Sequence, residues 1–143
     1  MQGNFLFESM MKELLSEAVQ SSRVITSIKN RAVNKIYFDG DETMRPGYRA
    51  IEIYAYGRTA AGTDVIRAWQ RSGTSDTPRG DGMDKLKEIP GWRLFACAGI
   101  QQFDNTGLTF VATETEVRNT RPGYNPHDEQ MQTVYYALIP DKG

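Results

Sequence analysis

From Phe5 to Val19 the apolar residues Leu6, Phe7, Met10, Met11, Leu14, Leu15 and Ala18 recur at spacings of three and four, which predicts one stripe of an amphipathic helix. Val24 to Ile28 fits either an extension of that helix or a short linking strand. Beyond it the period changes. Lys35 to Phe38, Tyr48 to Tyr56, Asp64 to Arg71, Trp92 to Ala98 and Leu108 to Thr113 are rich in β-branched and aromatic residues and are separated by glycine-bearing segments, which predicts five short strands. Alternation places Ile51, Ile53 and Ala55 on one face of the second strand and Glu52, Tyr54 and Tyr56 on the other. In the third, Ile66 and Ala68 lie opposite Val65, Arg67, Trp69 and Arg71. A hairpin across Gly57 to Thr63 follows, with Ile51 and Ile53 sharing a face with Ile66 and Ala68 and paired residue numbers summing to 119 or 121.

Thr74 to Gly91 holds Pro78, Gly80, Gly82, Pro90 and Gly91 and is too long for a tight turn, so it reads as a mobile or functional loop. Near the C-terminus Asn125 is a helix cap with Pro126 at the first position and Asp128 and Glu129 in the first turn, which predicts a closing helix with Met131, Val134, Tyr135 and Leu138 on one face. The expected fold class is α+β, mainly β: a five-stranded, bent antiparallel sheet or partly open barrel with N-terminal and C-terminal helices. One domain spans residues 1–143, with a helical segment at 1–30, the barrel at 33–115 and a turn and helix at 116–143.

Composition agrees with one domain. A chain of 143 residues with 39% apolar content can bury one real core. Charged residues make up 24% and nearly cancel to a net −1, which excludes a polyanion-binding tail. Charge is nonetheless uneven: Arg23 to Arg93 holds 13 basic and 9 acidic residues, so the β region is the basic part. Glu8, Lys12, Glu13 and Glu17 interrupt the N-terminal apolar stripe, so neither a signal peptide nor a spanning helix is predicted.

Several chemistries lack their residues. The one cysteine, Cys97, lies in the apolar run Leu94 to Ala98 and reads as a small buried hydrophobe. The one histidine, His127, has no nucleophile assigned beside it, and two distant Cys and His residues do not make a zinc site. Asp76, Asp81, Gly82 and Asp84 lack the EF-hand spacing, and there is no phosphate-binding glycine loop. Neither a metal nor a cofactor is expected, and a binding protein is favoured over an enzyme.

Arg67 and Arg71 project from the same strand face as Trp69, opposite Tyr54 and Tyr56. One reading is a stacking and phosphate surface, with aromatic faces for bases and guanidinium groups for phosphates. The other is structural: Glu52 pairs with Arg67 across the hairpin, and a helix covers Trp69. Arg45-Pro46-Gly47-Tyr48 recurs as Arg121-Pro122-Gly123-Tyr124, either a matched pair of side chains at one site or two independent Pro-Gly turns.

The order Arg49-Ala50-Ile51-Glu52-Ile53, a glycine turn, Asp64-Val65-Ile66, then Arg93-Leu94-Phe95 with Ile100 five residues later resembles the WYL domain, a small Sm/SH3-like β-barrel, in its compact phage and bacterial versions. The similarity runs from about Lys35 to Phe110. Where that family carries Arg, Asp and Arg after the phenylalanine, this chain has Ala96, Ala98 and Gly99. The resemblance implies a domain that senses nucleic acid or a nucleotide, here without a winged helix. The ligand-binding candidates are Arg49, Tyr54, Arg67, Trp69, Arg71 and Arg93. The competing function class is a phage virion structural or assembly protein that uses the barrel to contact itself or other structural proteins. The expected location is the host cytoplasm or the virion.

Overall fold

The computed structural model describes residues 21–76 and 89–143. The helix expected over Phe5 to Val19 and most of the 74–91 loop lie outside them. Helix α1 covers residues 21–29, so Val24 to Ile28 is helical, with Val24 and Ile28 buried in the core. The strands are β1 (Ala32–Phe38), β2 (Gly47–Arg58), β3 (Asp64–Gly73), β4 (Gly91–Ala96), β5 (Ile100–Thr109) and β6 (Thr133–Ala137). A 3-10 turn, Cys97–Gly99, joins β4 to β5, and α2 (Glu114–Thr120) precedes β6.

The sheet is antiparallel and runs β4-β3-β2-β1-β5, with β6 added beside β2. It is not closed. Its edge strands β4 and β5 are joined through the 3-10 turn. The long strand β2 changes partners: Gly47 to Glu52 pair with β1, and Ala55 to Arg58 pair with β6. The change falls at a bulge, where Tyr54 is the extra residue between the pairs Ile53 with Ala68 and Ala55 with Arg67.

The expected hairpin register holds at its centre. Ile51 with Gln70, Glu52 with Trp69 and Ile53 with Ala68 each sum to 121, and Ile66 lies on the face of Ile53. Outside the bulges the sum is 122, so Ala55 and Tyr56 exchange the faces that unbroken alternation assigns them. Every residue from Ile51 to Gly57 is buried, because β6, α2 and the segment after it cover the face that the alternation leaves open. The main core joins Ile36, Phe38, Ile51, Ile53, Ile66, Phe95, Phe103 and Leu138 with α1 residues Val24 and Ile28. Gly57 marks the approach of β6: a Cβ there would collide with the Thr133 carbonyl oxygen and the Met131 side chain.

Two expected elements are corrected. The strand placed at Leu108 to Thr113 runs instead from Ile100 to Thr109, where Ile100 and Phe103 reach the core and the polar residues between them face out. The C-terminal helix is absent among the described residues, and its place is taken by a turn and then β6. Asn125 spends its side chain on the His127 N–H (2.9 Å), and Asp128 on the Gln130 N–H (3.0 Å) and Arg67, which are turn rather than helix contacts. Thr133 to Tyr136 is then β-branched and aromatic, and it satisfies its backbone on β2. The helix lies earlier: the Thr113 hydroxyl accepts the Glu116 N–H (3.2 Å), a cap that stabilises by about 1 kcal/mol, and Val117 is buried beneath it. Residues 116–143 are thus woven into the sheet.

Candidate functional site

Arg49, Arg67, Arg71 and Arg93 of the basic β region, with Arg121, fall into three clusters, each closed by a carboxylate. In the first, the Arg49 guanidinium donates from Nη1 and Nη2 to the two Asp76 oxygens (2.7 and 2.8 Å) and from Nη1 to Gln70 Oε1 (2.9 Å). Arg93 Nε donates to Asp76 as well (3.0 Å), as does the Arg45 N–H (2.9 Å). Burial alone would raise the Asp76 carboxyl, but the hydrogen bonds and charge of the arginines outweigh it and hold it below the usual carboxylate range.

The second cluster centres on Glu52, which is fully buried. Arg121 donates to both its oxygens (2.9 and 2.8 Å), Tyr54 donates its hydroxyl (3.0 Å), and Arg71 Nε stands 3.6 Å away. Burial and the Glu52 charge push the Tyr54 hydroxyl far above its ordinary value, so Tyr54 is a neutral donor. Arg121 also lies over the Trp69 ring, 4.9 Å from its centroid, and Trp69 meets Trp92 edge to face at 5.1 Å.

The third cluster opens to solvent. Arg67 donates from Nε to Asp128 (2.7 Å) and from Nη2 to Gln130 Oε1 (2.5 Å). These groups, with Trp92, Gly123, Tyr124, Asn125 and Glu129, line a cleft of about 430 Å³. Its aromatic wall is Trp92 and Tyr124, stacked with centroids 5.7 Å apart. Both rings are held from behind, since the Trp92 indole N–H donates to the Pro122 carbonyl (2.8 Å) and the Tyr124 hydroxyl to that of Leu138 (2.7 Å). The cleft sits between β3, β4 and the turn before β6, a position fixed by tertiary packing rather than by a local motif.

The expected site residues are therefore separated. Arg49, Tyr54, Trp69 and Arg93 are 1%, 0%, 8% and 4% exposed, so the stacking surface assigned to that strand face is interior. Tyr56 lies on the opposite face because of the bulge. Arg71 keeps a side chain 40% exposed, and Arg67 belongs to the cleft. Glu52 does not pair with Arg67, and among the described residues Trp69 meets Trp92 and Arg121, the residue that caps the end of α2. The two Arg-Pro-Gly-Tyr turns lie apart: Tyr124 packs on Tyr54 and Trp92, whereas Tyr48 packs on Tyr37 at the other end of β2. Trp92, Tyr124, Asn125, Asp128, Glu129 and Gln130 were not singled out from the sequence as a site. The only signal was the second Arg-Pro-Gly-Tyr, which ends at Tyr124.

Burial, with a smaller contribution from Asp64, pushes the Cys97 thiol up to about 12, so it is protonated at neutral pH. Among the described residues no three His, Cys, Asp or Glu side chains converge as metal ligands, and no helix is long and apolar enough to cross a membrane. Comparison with family models, with curated proteins and with solved structures finds no match to this chain.

Proposed function

We propose that this chain is a non-enzymatic binding module that recognises nucleic acid or a nucleotide, with a base seated in the cleft beside Arg67, Trp92 and Tyr124. The cleft carries the reading: about 430 Å³ is the size of a small-ligand site, and it combines a braced aromatic wall with a few polar groups. An aromatic wall suits a base, since stacking contributes about 1–3 kcal/mol per base whatever its sequence. The family resemblance in the sequence points to the same class of ligand. The structure supplies a mainly β, open antiparallel sheet ordered β5-β1-β2-β3-β4 with its edge strands joined by a 3-10 turn. A regulatory role in the host cytoplasm follows from this reading.

The arginines act differently from a phosphate-binding surface. Of the six expected ligand residues only Arg71 offers a substantially exposed guanidinium, so binding should depend weakly on salt. For a single strand we expect a slope of log K against log salt of about −0.7 or shallower, one contact or fewer. The test is a low-salt titration of the folded chain with nucleosides, nucleotides and short single-stranded oligonucleotides, read by tryptophan fluorescence. A steep slope would reject the cleft in favour of a phosphate-tracking groove. Absence of binding to the whole panel would reject nucleic-acid recognition.

One observation favours a second reading, assembly within a virion. Leu108, Val111 and Ile139 are 60%, 63% and 66% exposed. Backbone bonds from Asp141 N–H to the Ala112 carbonyl (2.8 Å) and from Glu114 N–H to the Asp141 carbonyl (2.7 Å) bring their two segments side by side. Large apolar side chains left this exposed suit a protein contact.

A further inference from the structure

The polar groups of the cleft are specific enough to distinguish among bases. Arg67 spends Nε and Nη2 on Asp128 and Gln130. Gln130 accepts that bond through Oε1, which fixes its amide and leaves the NH2 group to donate. Asn125 likewise accepts the His127 N–H through Oδ1, leaving its own NH2 group as a donor. Glu129 is exposed and lines the cleft, and its carboxylate accepts no hydrogen bond and joins no ion pair among the described residues. The cleft thus presents a carboxylate acceptor together with amide donors beside an aromatic wall. Among the described residues its formal charge is negative, one guanidinium against the carboxylates of Asp128 and Glu129.

Only one of the common bases matches that set. Guanine offers two adjacent donors, N1–H and the 2-amino group, which a carboxylate accepts together, and next to them the O6 acceptor for an amide NH2 group. Adenine and cytosine pair a single amino donor with a ring-nitrogen acceptor, which would face the carboxylate lone pairs. Uracil places one donor between two carbonyl oxygens. The negative balance disfavours a phosphate in the same space, since like charges close together repel most strongly where water is partly excluded. On the reading above that the cleft seats a base, we infer that it selects guanine, read by Glu129 with Gln130 or Asn125, and leaves any phosphate outside.

The test is a titration of the full chain at low salt with guanosine, inosine, adenosine, cytidine and guanosine 5′-monophosphate, followed by tryptophan fluorescence and calorimetry. Guanosine is expected to bind roughly tenfold tighter than adenosine or cytidine, the usual size of a bidentate base contact. Inosine, which lacks the 2-amino group, should lose roughly tenfold as well, because the carboxylate then keeps an unpaired oxygen. The monophosphate should bind within about threefold of guanosine, since no unpaired cation among the described lining residues receives it. Glu129→Gln, an exposed change that leaves the core untouched, should remove the preference for guanosine by weakening guanosine binding, with adenosine bound no more weakly than by the wild type. Adenosine equal to guanosine, a monophosphate bound more than about tenfold tighter, or a preference that survives Glu129→Gln would each overturn the guanine assignment alone. Failure of every nucleoside and nucleotide to bind would overturn the base-binding reading with it.

Discussion

Asp76→Ala is expected to cost the fold about 3–5 kcal/mol, the usual penalty for removing one partner of a buried ion pair. Asp76 is 1% exposed and receives hydrogen bonds from Arg49, Arg93 and the Arg45 backbone. Without it the Arg49 guanidinium, itself 1% exposed, stays buried with Gln70 and a backbone carbonyl as its remaining partners. The pH dependence has a definite sign. The Asp76 carboxyl is held below its ordinary 3.8, so its contribution is fully present above that value and is lost as pH falls through the lower folded value. Urea midpoints at neutral pH and along an acid series measure both effects. A loss of less than about 1 kcal/mol for Asp76→Ala would show that the cluster is not a structural pin.

Trp69→Ala is expected to cost a comparable amount, about 3–5 kcal/mol, because the ring is a packed interior group. It meets Trp92 edge to face at 5.1 Å and carries the Arg121 guanidinium on its face at 4.9 Å. Its removal also loosens the Arg121 contact with Glu52, whose charge is fully buried. Thermal and urea denaturation should therefore report a large loss before any binding assay does. A variant of wild-type stability that binds nucleic acid about 1–3 kcal/mol more weakly would instead return Trp69 to a ligand-stacking role.

The sequence carried the centre of the fold and lost its margins. Ile51 and Ile53 against Ile66 and Ala68 sufficed for the β2-β3 pairing and its central register. The Tyr54 bulge left no mark, since Ile51-Glu52-Ile53-Tyr54-Ala55-Tyr56 reads as unbroken alternation although both faces are buried. Strand β5 lies away from its predicted span because Gln101, Gln102, Asp104 and Asn105 carry no strand signal, and its position comes from the free edge of β1. The Thr113 to Glu116 cap was hidden by its overlap with an apparent strand. The Asn125-Pro126 cap misled because the same side-chain chemistry serves turns and helix starts.

The site was less legible for one reason, the sequence distance between partners. Arg67 meets Asp128 across 61 residues, and Arg121 meets Glu52 across 69. A list of arginines on a strand face reads as a basic surface until those carboxylates are placed. Once they are, Arg67 is tied to Asp128 and Arg71 stands beside Glu52, and the accessible chemistry moves to the turn between α2 and β6. On the proposed reading, that relocation makes the cleft rather than the strand face the seat of a base.

The most direct test of that relocation is a two-dimensional amide NMR titration of the folded wild-type chain with guanosine and with a short guanine-containing single strand. Ligand-dependent shifts should concentrate on the Trp92 indole N–H, on the Asn125 and Gln130 side-chain amides, and on the backbone from Gly123 to Gln130. Shifts confined to the opposite end of β2, around Lys35, Tyr37 and Tyr48, or the absence of any shift in the cleft under saturating ligand, would contradict the assignment.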